Sequence, residues 1–330
     1  DATLDTNALQ CYSGGSIEMD GDSFTDIYGT YGIYGSGCNM EMEDVSFENI
    51  GGYALYGSGG DFELASVSFR DTGLETSYTQ ALYFYANYAM NISLLNTSFE
   101  NTAADAISIN TYDSTNAPIN AIMDTVNITN AGDEALYIYG ATADLNNITV
   151  TDSKGSALYG SYADITLNNT IITESKDDGI YCNDCSLEIA NTSITLSDGK
   201  GLLLTNTDAS FSALTVQNST EQGISASNGN ISLTGSTINN NGSYGAQLSG
   251  DLTTNAVITI DSSDFSGNTK TGLYFEYADV AITTGSSSNN SEYGLECSET
   301  SFSTCAMSNI TGNILGEQTG CDETCGAEAN

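Results

Sequence analysis

A repeat of about 22 residues runs through most of the chain and limits its possible folds more than any other feature. Each copy joins a small residue, an apolar centre and often a tyrosine, as in Gly32-Ile33-Tyr34 and Ala54-Leu55-Tyr56. From Leu136 to Ala246, five successive steps are each 22 residues long. A fixed period of this length predicts a solenoid. The twelve centres are Ile33, Leu55, Leu82, Ile107, Leu136, Leu158, Ile180, Leu202, Ile224, Ala246, Leu273 and Leu295.

Two further sets of apolar residues keep register with these centres, so each repeat supplies three short β-forming segments. Eight residues before the centres stand Phe47, Phe99, Ile128, Val150, Ile172, Ile194, Val216, Ile238 and Phe265. Thirteen residues before them stand Met42, Leu94, Met123, Leu145, Leu167, Ile189, Phe211, Leu233, Ile260 and Ile282.

These segments alternate apolar and polar residues, and Gly, Asn, Asp and Ser fill the corners between them. Three strands per repeat predict an all-β fold, a single-stranded parallel β-helix of about twelve coils. We expect the β-helix to span residues 14–315, between an N-terminal segment (1–13) and a cysteine-containing C-terminal tail (316–330).

Units such as ADITLNNTIITESKDDGIY (163–181) and ADVAITTGSSSNNSEYGLE (278–296) resemble the parallel β-helix repeats of the pectin-lyase-like superfamily. The resemblance implies a right-handed winding. It leaves function open, because the superfamily contains lyases, hydrolases, phage tailspikes, adhesins and other surface proteins.

An enzymatic function finds little support among the residues that such enzymes use. Asp177-Asp178 and Asn206-Thr207-Asp208 look like hydrolase carboxylate motifs, but their order along the chain is reversed and the chain has no histidine. Asp133-Glu134 stands at the same corner as Asp177-Asp178, which favours a solvated turn at both places. A lyase needs a cation to acidify the substrate proton, and Arg70 is the only arginine. We therefore expect no catalytic residues and a protein that is not an enzyme.

The net charge of -38, from 43 acidic against five basic residues, excludes nucleic acid and anionic membranes as partners. No apolar stretch long enough to span a membrane is found. Carboxylates such as Asp20 and Asp22 could bind Ca²⁺, but their spacing matches no known calcium loop. The expectation is a protein without cofactor or bound metal, with structural Ca²⁺ as an open alternative.

Cysteine usage indicates a secreted or cell-surface protein. The number is even, Asp1 stands in place of an initiator methionine, and zinc binding by Cys182 and Cys185 lacks a second ligand pair. We expect disulfides between Cys11 and Cys38, between Cys182 and Cys185, and two bridges among the last four cysteines. The eight are Cys11, Cys38, Cys182, Cys185, Cys297, Cys305, Cys321 and Cys325.

Eleven Asn-x-Ser/Thr sequons predict N-glycosylation, although composition alone would produce several of them. Their asparagines are Asn91, Asn96, Asn127, Asn147, Asn168, Asn191, Asn218, Asn230, Asn241, Asn289 and Asn309.

Tyrosines that follow the apolar centres should point outward and form a ladder that binds sugars or a neighbouring molecule. The alternative is that they only support the sheet. Two function classes stay open: a structural subunit that self-associates end to end into surface filaments or layers, and a glycan-binding adhesin or polysaccharide-degrading enzyme. The tyrosines are Tyr34, Tyr56, Tyr83, Tyr137, Tyr159, Tyr181 and Tyr274.

Overall fold

A computed structural model describes residues 8–74, 79–253, 255–321 and 325. Within these ranges the regular secondary structure is β-strand throughout, without a helix. The chain divides into two compact units, Asp1–Thr166 and Leu167–Asn330, which are described in turn.

The first unit repeats three short strands per turn, as the sequence period predicts. In chain order its strands are β1 (Leu9–Tyr12), β2 (Ser16–Asp20), β3 (Ser23–Ile27), β4 (Tyr31–Ser36), β5 (Asn39–Glu43), β6 (Ser46–Ile50), β7 (Tyr53–Ser58), β8 (Gly60–Ala65), β9 (Ser68–Thr72), β10 (Leu82–Tyr85), β11 (Met90–Leu95), β12 (Ser98–Thr102), β13 (Ile107–Asn110), β14 (Ile119–Asp124), β15 (Asn127–Ala131), β16 (Leu136–Tyr139), β17 (Thr142–Asn146), β18 (Thr149–Thr151) and β19 (Leu158–Ser161). The next strand, β20 (Asp164–Asn168), runs across the unit boundary.

Every third strand of the first unit pairs in parallel with its equivalents, which gives three sheets. Sheet A has the order β1-β4-β7-β10-β13-β16-β19, sheet B β2-β5-β8-β11-β14-β17, and sheet C β3-β6-β9-β12-β15-β18. The register places equivalent residues side by side, so Tyr34 pairs with Tyr56 and Phe47 pairs with Phe69.

The second unit has the same construction. Its strands are β21 (Ile171–Thr173), β22 (Ile180–Asn183), β23 (Ser186–Ala190), β24 (Ser193–Thr195), β25 (Leu202–Thr205), β26 (Asp208–Ser212), β27 (Thr215–Gln217), β28 (Ile224–Ser227), β29 (Ile231–Thr234), β30 (Thr237–Asn239), β31 (Ala246–Ser249), β32 (Ala256–Asp261), β33 (Ser263–Asp264), β34 (Leu273–Glu276), β35 (Ala278–Ile282), β36 (Gly285–Ser286), β37 (Tyr293–Ser298), β38 (Ser301–Cys305) and β39 (Gly316–Thr319).

Its strands follow the orders β22-β25-β28-β31-β34-β37-β39 in sheet A, β23-β26-β29-β32-β35-β38 in sheet B and β21-β24-β27-β30-β33-β36 in sheet C. Sheet A thus has seven described strands in each unit, which makes about fourteen turns. The predicted all-β parallel solenoid is confirmed. The two turns beyond the predicted twelve come from β1 and β39, which lie in the segments expected to flank the β-helix.

The corners between strands are made by residues with positive φ, and they form columns along the chain. Between sheets B and C the column includes Asp44, Asn96 and Asn147, and near the ends of sheet C strands it includes Asn101 and Asn130. Only glycine adopts this backbone freely, and Asn and Asp tolerate it best among the others. This is the physical reason for the polar corners in the sequence.

Leu196 occupies such a corner with φ 61° and a side chain that is 48% exposed. Replacing Leu196 by asparagine is expected to raise the free energy of unfolding by about 1 kcal/mol, because the left-handed conformation costs leucine more and little packing is lost. Leu196→Ala, which keeps the backbone cost, is the matched control and should give no comparable gain. Urea denaturation of both variants measures the difference, and a destabilised asparagine variant would contradict this assignment.

The interior is filled by stacked apolar residues that face inward from all three sheets. In sheet C of the first unit, the rings of Phe24, Phe47, Phe69 and Phe99 stack face to face at centroid distances of 4.9, 4.9 and 4.8 Å. The spacing equals the distance between neighbouring strands, so each turn adds one ring to the core.

The second unit also contains a buried polar column where sheet C turns into sheet A. The Asn268 side-chain oxygen accepts hydrogen bonds from the backbone and side-chain nitrogens of Asn241 at 3.0 and 3.1 Å. The Asn290 side-chain oxygen accepts from the same two nitrogens of Asn268 at 2.9 and 3.2 Å. Gly245 lies against this asparagine ladder, since a Cβ there would come within 2.6 Å of Asn268 Nδ2. The small residue of the repeat therefore makes room for the ladder. Its asparagines are Asn241, Asn268, Asn290 and Asn313.

Candidate functional site

Sheet A of the first unit presents a tyrosine ladder on its outward face. Its strands alternate inward apolar and outward polar or aromatic residues, so the residue after each buried centre points out. Tyr34 stacks on Tyr56 at 5.2 Å and Tyr56 stacks on Tyr83 at 5.4 Å between ring centroids. After one interruption, Tyr137 and Tyr159 continue the ladder at 4.9 Å.

The interruption is Ser108, which pairs with Tyr83 on one side and Tyr137 on the other. A second outward column on sheet A lies two residues further along the strands. In it, Asn110 of β13 stands between Tyr85 and Tyr139. There the loop from Thr111 to Pro118 supplies Tyr112, whose ring lies 6.1 Å from that of Tyr85 and 4.9 Å from that of Tyr139. The loop is held by its own hydrogen bonds, since the Asp113 carboxylate accepts from the backbone and side-chain nitrogens of Asn116.

A third column on the same sheet lies two residues before the buried centres. It contains Tyr31 and Tyr53, stacked at 5.5 Å, and then Gln80, Asp105 and Glu134. Backbone hydrogen bonds fix its register, because Ala81 N donates to Asp105 O and Ala106 N donates to Glu134 O, both at 3.2 Å. Aromatic rings and carboxyl groups are thereby placed side by side on neighbouring turns.

Asp105, Asp133 and Glu134 form a carboxyl cluster, in which one oxygen of each residue lies within 4.8 Å of the others. Asp105 is buried, Glu134 is half-buried and Asp133 is exposed. Gln80 Nε2 donates to Asp105 Oδ2 at 3.4 Å. Gly155 lies under the cluster, where a Cβ would come within 2.8 Å of Asp133 Oδ1.

Burial and mutual repulsion keep this cluster partly protonated. Burial and then the neighbouring Asp105 and Asp133 charges raise the pKa of Glu134 to about 8. Burial and then Asp133 raise the pKa of Asp105 to about 6, against the opposing hydrogen bonds from Gln80 and Glu134. Because both pKa values are raised, the pair titrates as a unit and retains a proton at neutral pH.

The cluster is also the grouping of acidic side chains most suited to a cation among the described residues. The Gln80 amide, however, directs an N–H donor at Asp105, and a hydrogen-bond donor in that place suits a protonated pair better than a metal ion. Asp20 and Asp22, the carboxylates considered for Ca²⁺ in the sequence, do not belong to this grouping.

The interpretation of Asp177-Asp178 as a solvated turn is wrong for Asp178. Asp178 is buried, and its Oδ1 accepts a 2.7 Å hydrogen bond from Lys200 N. Burial raises its pKa, although the Lys200 amide and charge oppose the rise. The same interpretation is incomplete for Glu134, which is half-buried and has a carboxyl oxygen within 4.8 Å of one of Asp105.

The remaining predicted tyrosines, Tyr181 and Tyr274, lie in sheet A of the second unit and are half-exposed. Tyr274 packs against Tyr244 at 5.5 Å, and the Lys270 ammonium lies 5.0 Å from the centre of the Tyr244 ring.

Two disulfides join the last four cysteines, Cys297 to Cys321 and Cys305 to Cys325. The other four are present as thiols in two adjacent pairs, and burial with the Cys11 hydrogen bond raises the pKa of Cys38 to about 12. The Cys185 hydrogen bond and burial raise the pKa of Cys182 well above its usual range. Bridges from Cys11 to Cys38 and from Cys182 to Cys185 stay predictions.

Ten of the eleven sequon asparagines are exposed or half-exposed. Asn241 is the exception, because it is fully buried in the asparagine ladder. A glycan on Asn241 is incompatible with this fold, so the prediction for that residue is wrong.

Comparison with known proteins agrees with the architecture. A family model described as a right-handed beta helix region matches residues 109–258. The fold is a right-handed parallel β-helix. No curated protein matches the chain. Among the described residues there is no helix long and apolar enough to cross a membrane.

Two solved structures share this fold over most of the chain. The A-module of mannuronan C-5 epimerase AlgE4 from Azotobacter vinelandii has a TM-score of 0.51 at 11% identity, covering 96% of this chain and 91% of its own. A double mutant of the periplasmic alginate epimerase AlgG also has a TM-score of 0.51, at 9% identity, covering 87% of this chain and 77% of its own.

These similarities correct one prediction. The expectation that the chain is not an enzyme is contradicted, because both of these structures, similar to the chain along most of its length, are epimerases. The likeness at this identity concerns the fold, so any catalytic group must be sought among the chain's own residues.

Gln80, Asp105 and Glu134 were not predicted from the sequence as site residues. Each stands two residues before an apolar centre, at Leu82, Ile107 and Leu136. Aligning the repeats on their centres would have shown that this column changes from tyrosine to carboxyl residues beside the ladder.

Proposed function

We propose that the chain is an extracellular, polysaccharide-directed enzyme whose first unit binds a neutral glycan along sheet A and performs acid–base chemistry at the carboxyl cluster. The observation that carries the proposal is the juxtaposition of stacked tyrosines with a proton-sharing carboxyl pair on one sheet. The two disulfides support an extracellular or cell-surface location, because such bonds persist in oxidising compartments.

The tyrosine ladder has the chemistry of a sugar-binding surface. Its rings offer apolar area and its hydroxyls offer hydrogen bonds, which together suit the faces and edges of pyranose rings. Five rings over six successive turns, at steps of 4.9 to 5.4 Å where the rings stack, make an extended platform rather than a single pocket. A polymer is therefore a better ligand than a monosaccharide.

The negative charge of the protein favours neutral polysaccharides over polyanionic ones as ligands. A net charge of -38 repels polyanionic chains, and Arg70 lies on sheet C, away from the ladder in the fold of the first unit. Neutral polysaccharides such as cellulose, xylan or chitin fit this surface better than uronate polymers.

The carboxyl pair supplies what glycan chemistry needs at neutral pH. Glu134, protonated below a pKa of about 8, can donate a proton to a leaving oxygen, while Asp105, ionised above a pKa of about 6, can accept one. The pair lies close to Tyr137 of the ladder and to Tyr53 of the third column, since the Asp105 charge contributes to raising the pKa of both, after the larger effects of burial and of neighbouring tyrosines.

A depletion assay with insoluble cellulose, xylan and chitin tests the binding step, with alginate gel as the polyanionic comparison. We expect binding to at least one neutral polymer, and a loss of about 10-fold or more in affinity for the double variant Tyr83→Ala/Tyr137→Ala, since each lost ring contributes about 1 kcal/mol. Tyr274→Ala, in the second unit, is the matched control and should bind like wild type. Equal binding by all three proteins, or binding to alginate alone, would refute the proposal.

Self-association into filaments is a second proposal, which two strands favour. In sheet A, β1 and β39 each have a hydrogen-bonded neighbour on one side only among the described strands. A strand edge without a hydrogen-bonded neighbour can pair with another chain. Filament assembly and action on a polysaccharide are compatible, because they use the edges and the face of the sheet respectively.

A further inference from the structure

We propose that the first unit carries N-linked glycans on sheet B, on sheet C and at the corner between them, while the outward face of sheet A stays bare. The proposal concerns Asn91, Asn96, Asn127 and Asn147. It rests on where the sequons lie in the fold, and it stands whether or not the tyrosine ladder binds a polysaccharide.

The four asparagines are exposed and lie away from sheet A. Asn91 belongs to β11 of sheet B and Asn127 to β15 of sheet C. Asn96 and Asn147 occupy equivalent corner positions between these sheets, with φ of 49° and 54°. A corner residue of this kind projects its side chain outward, so it gives a transferase access to the amide.

Their hydrogen bonds are compatible with modification. Asn91 Nδ2 donates to Asp61 Oδ1, and Asn147 Nδ2 donates to Asp124 Oδ1, both at 2.7 Å. In the transfer, Nδ2 bonds to C1 of an oligosaccharide, and the C1–O bond to a polyprenyl phosphate carrier breaks. The phosphate leaves with the electron pair and one amide proton is released. The modified amide keeps one N–H, so each bond to aspartate can persist.

Asn241 provides an internal comparison, because its sequon has the same sequence requirement and the opposite environment. It is fully buried, and its Nδ2 donates to Asn268 Oδ1 at 3.1 Å and to Val216 O at 3.4 Å. Both amide hydrogens are therefore used inside the core. The folded protein should have no glycan there.

The bare face is sheet A. Of the eleven sequon asparagines, all in the described part of the chain, none lies in a sheet A strand of either unit. A glycan coat with this distribution covers two faces of the first unit and leaves the tyrosine ladder open to a large partner.

The test uses the full chain secreted from a eukaryotic cell that performs N-glycosylation. Enzymatic release of glycans in ¹⁸O water converts each occupied asparagine to labelled aspartate, and cleavage at acidic residues followed by mass spectrometry locates the label. We expect label at Asn91, Asn96, Asn127 and Asn147 and none at Asn241. Label at Asn241 in folded protein, or absence of label from the other four, would overturn the proposal.

Sequon variants test the same sites by the mass of the intact protein, which does not depend on recovering each peptide. Asn96→Gln and Asn147→Gln should each lower the intact mass by one glycan. Ile122→Thr creates a sequon at exposed Asn120 on sheet B and should add one glycan. Unchanged masses in all three variants would show that these faces are not modified, and the polysaccharide depletion assay on the same preparations is scored separately.

Discussion

Asn268→Leu is expected to lower the free energy of unfolding by about 3 to 4 kcal/mol, among the largest losses available from one substitution in this chain. Leucine removes the oxygen that accepts from both nitrogens of Asn241, and it removes the amide that donates to Ile238 O and Asn290 Oδ1. These groups are buried, so water cannot replace the lost partners. Urea denaturation followed by circular dichroism measures the loss.

The matched control is Asn239→Leu, in β30 on the neighbouring turn, two residues before Asn241. Asn239 is half-buried, and its side chain accepts one 3.4 Å hydrogen bond from Asn240. Its replacement should change the free energy of unfolding by less than about 1 kcal/mol. Equal effects at the two positions would show that the ladder adds nothing beyond the general cost of changing an asparagine in this turn.

Much of the fold followed from the sequence because its determinants are local and repeated. The buried centres, the inward phenylalanines and the polar corners each recur at fixed spacing, and a parallel stack aligns whatever recurs. Phe47, Phe69 and Phe99 therefore fall on one another by register alone. The count of turns was short by two, because the apolar centre Leu9 of β1 was left in the N-terminal segment and β39 has the polar residue Gln318 opposite the centre Leu295.

The candidate site was harder to predict, because it depends on which polar residues neighbouring turns bring together. Asp105 and Glu134 are 29 positions apart, since an insertion separates their repeats, and each alone looks like an ordinary corner residue. Asn241 gives the opposite error: its Asn-Gly-Ser triplet matches a sequon, yet the register makes it a core residue. In both cases the environment is set by adjacent turns, which a local motif does not show.

Glu134→Gln tests the carboxyl cluster through stability as well as activity. The folded pKa values of Glu134 and Asp105, about 8 and about 6, are raised above their usual values near 4, so the folded state binds more protons than the unfolded state between pH 4 and 8. The stability of the wild type should therefore fall as pH rises through this window. Glutamine imitates the protonated acid at every pH, so the variant should be more stable than wild type at pH 9, by about 2 kcal/mol, and similar at pH 5.

The pH dependence of the free energy of unfolding is simpler to interpret here, because the chain has no histidine to titrate between pH 5 and 8. The titratable groups near Glu134 are Asp105 and Asp133, and Gln80 is hydrogen-bonded to Asp105. In the second unit, the buried Asp178 also has a raised pKa. Asp178→Asn therefore serves as a comparison, because it leaves the carboxyl cluster intact. In this variant the free energy of unfolding should still fall with rising pH because of the cluster. A wild type that gains stability between pH 5 and 9 would contradict the shared proton.

The same variant separates binding from chemistry on sheet A. On a neutral polysaccharide that the wild type binds, Glu134→Gln should retain affinity, because the tyrosine rings are unchanged, while the rate of product formation should fall about 100-fold or more with the loss of the proton donor. Reducing-end release and chromatography of soluble products measure the rate, and the depletion assay measures affinity. If affinity and rate fell together, Glu134 would be a part of the binding surface; if neither changed, the chemistry would lie elsewhere on the β-helix.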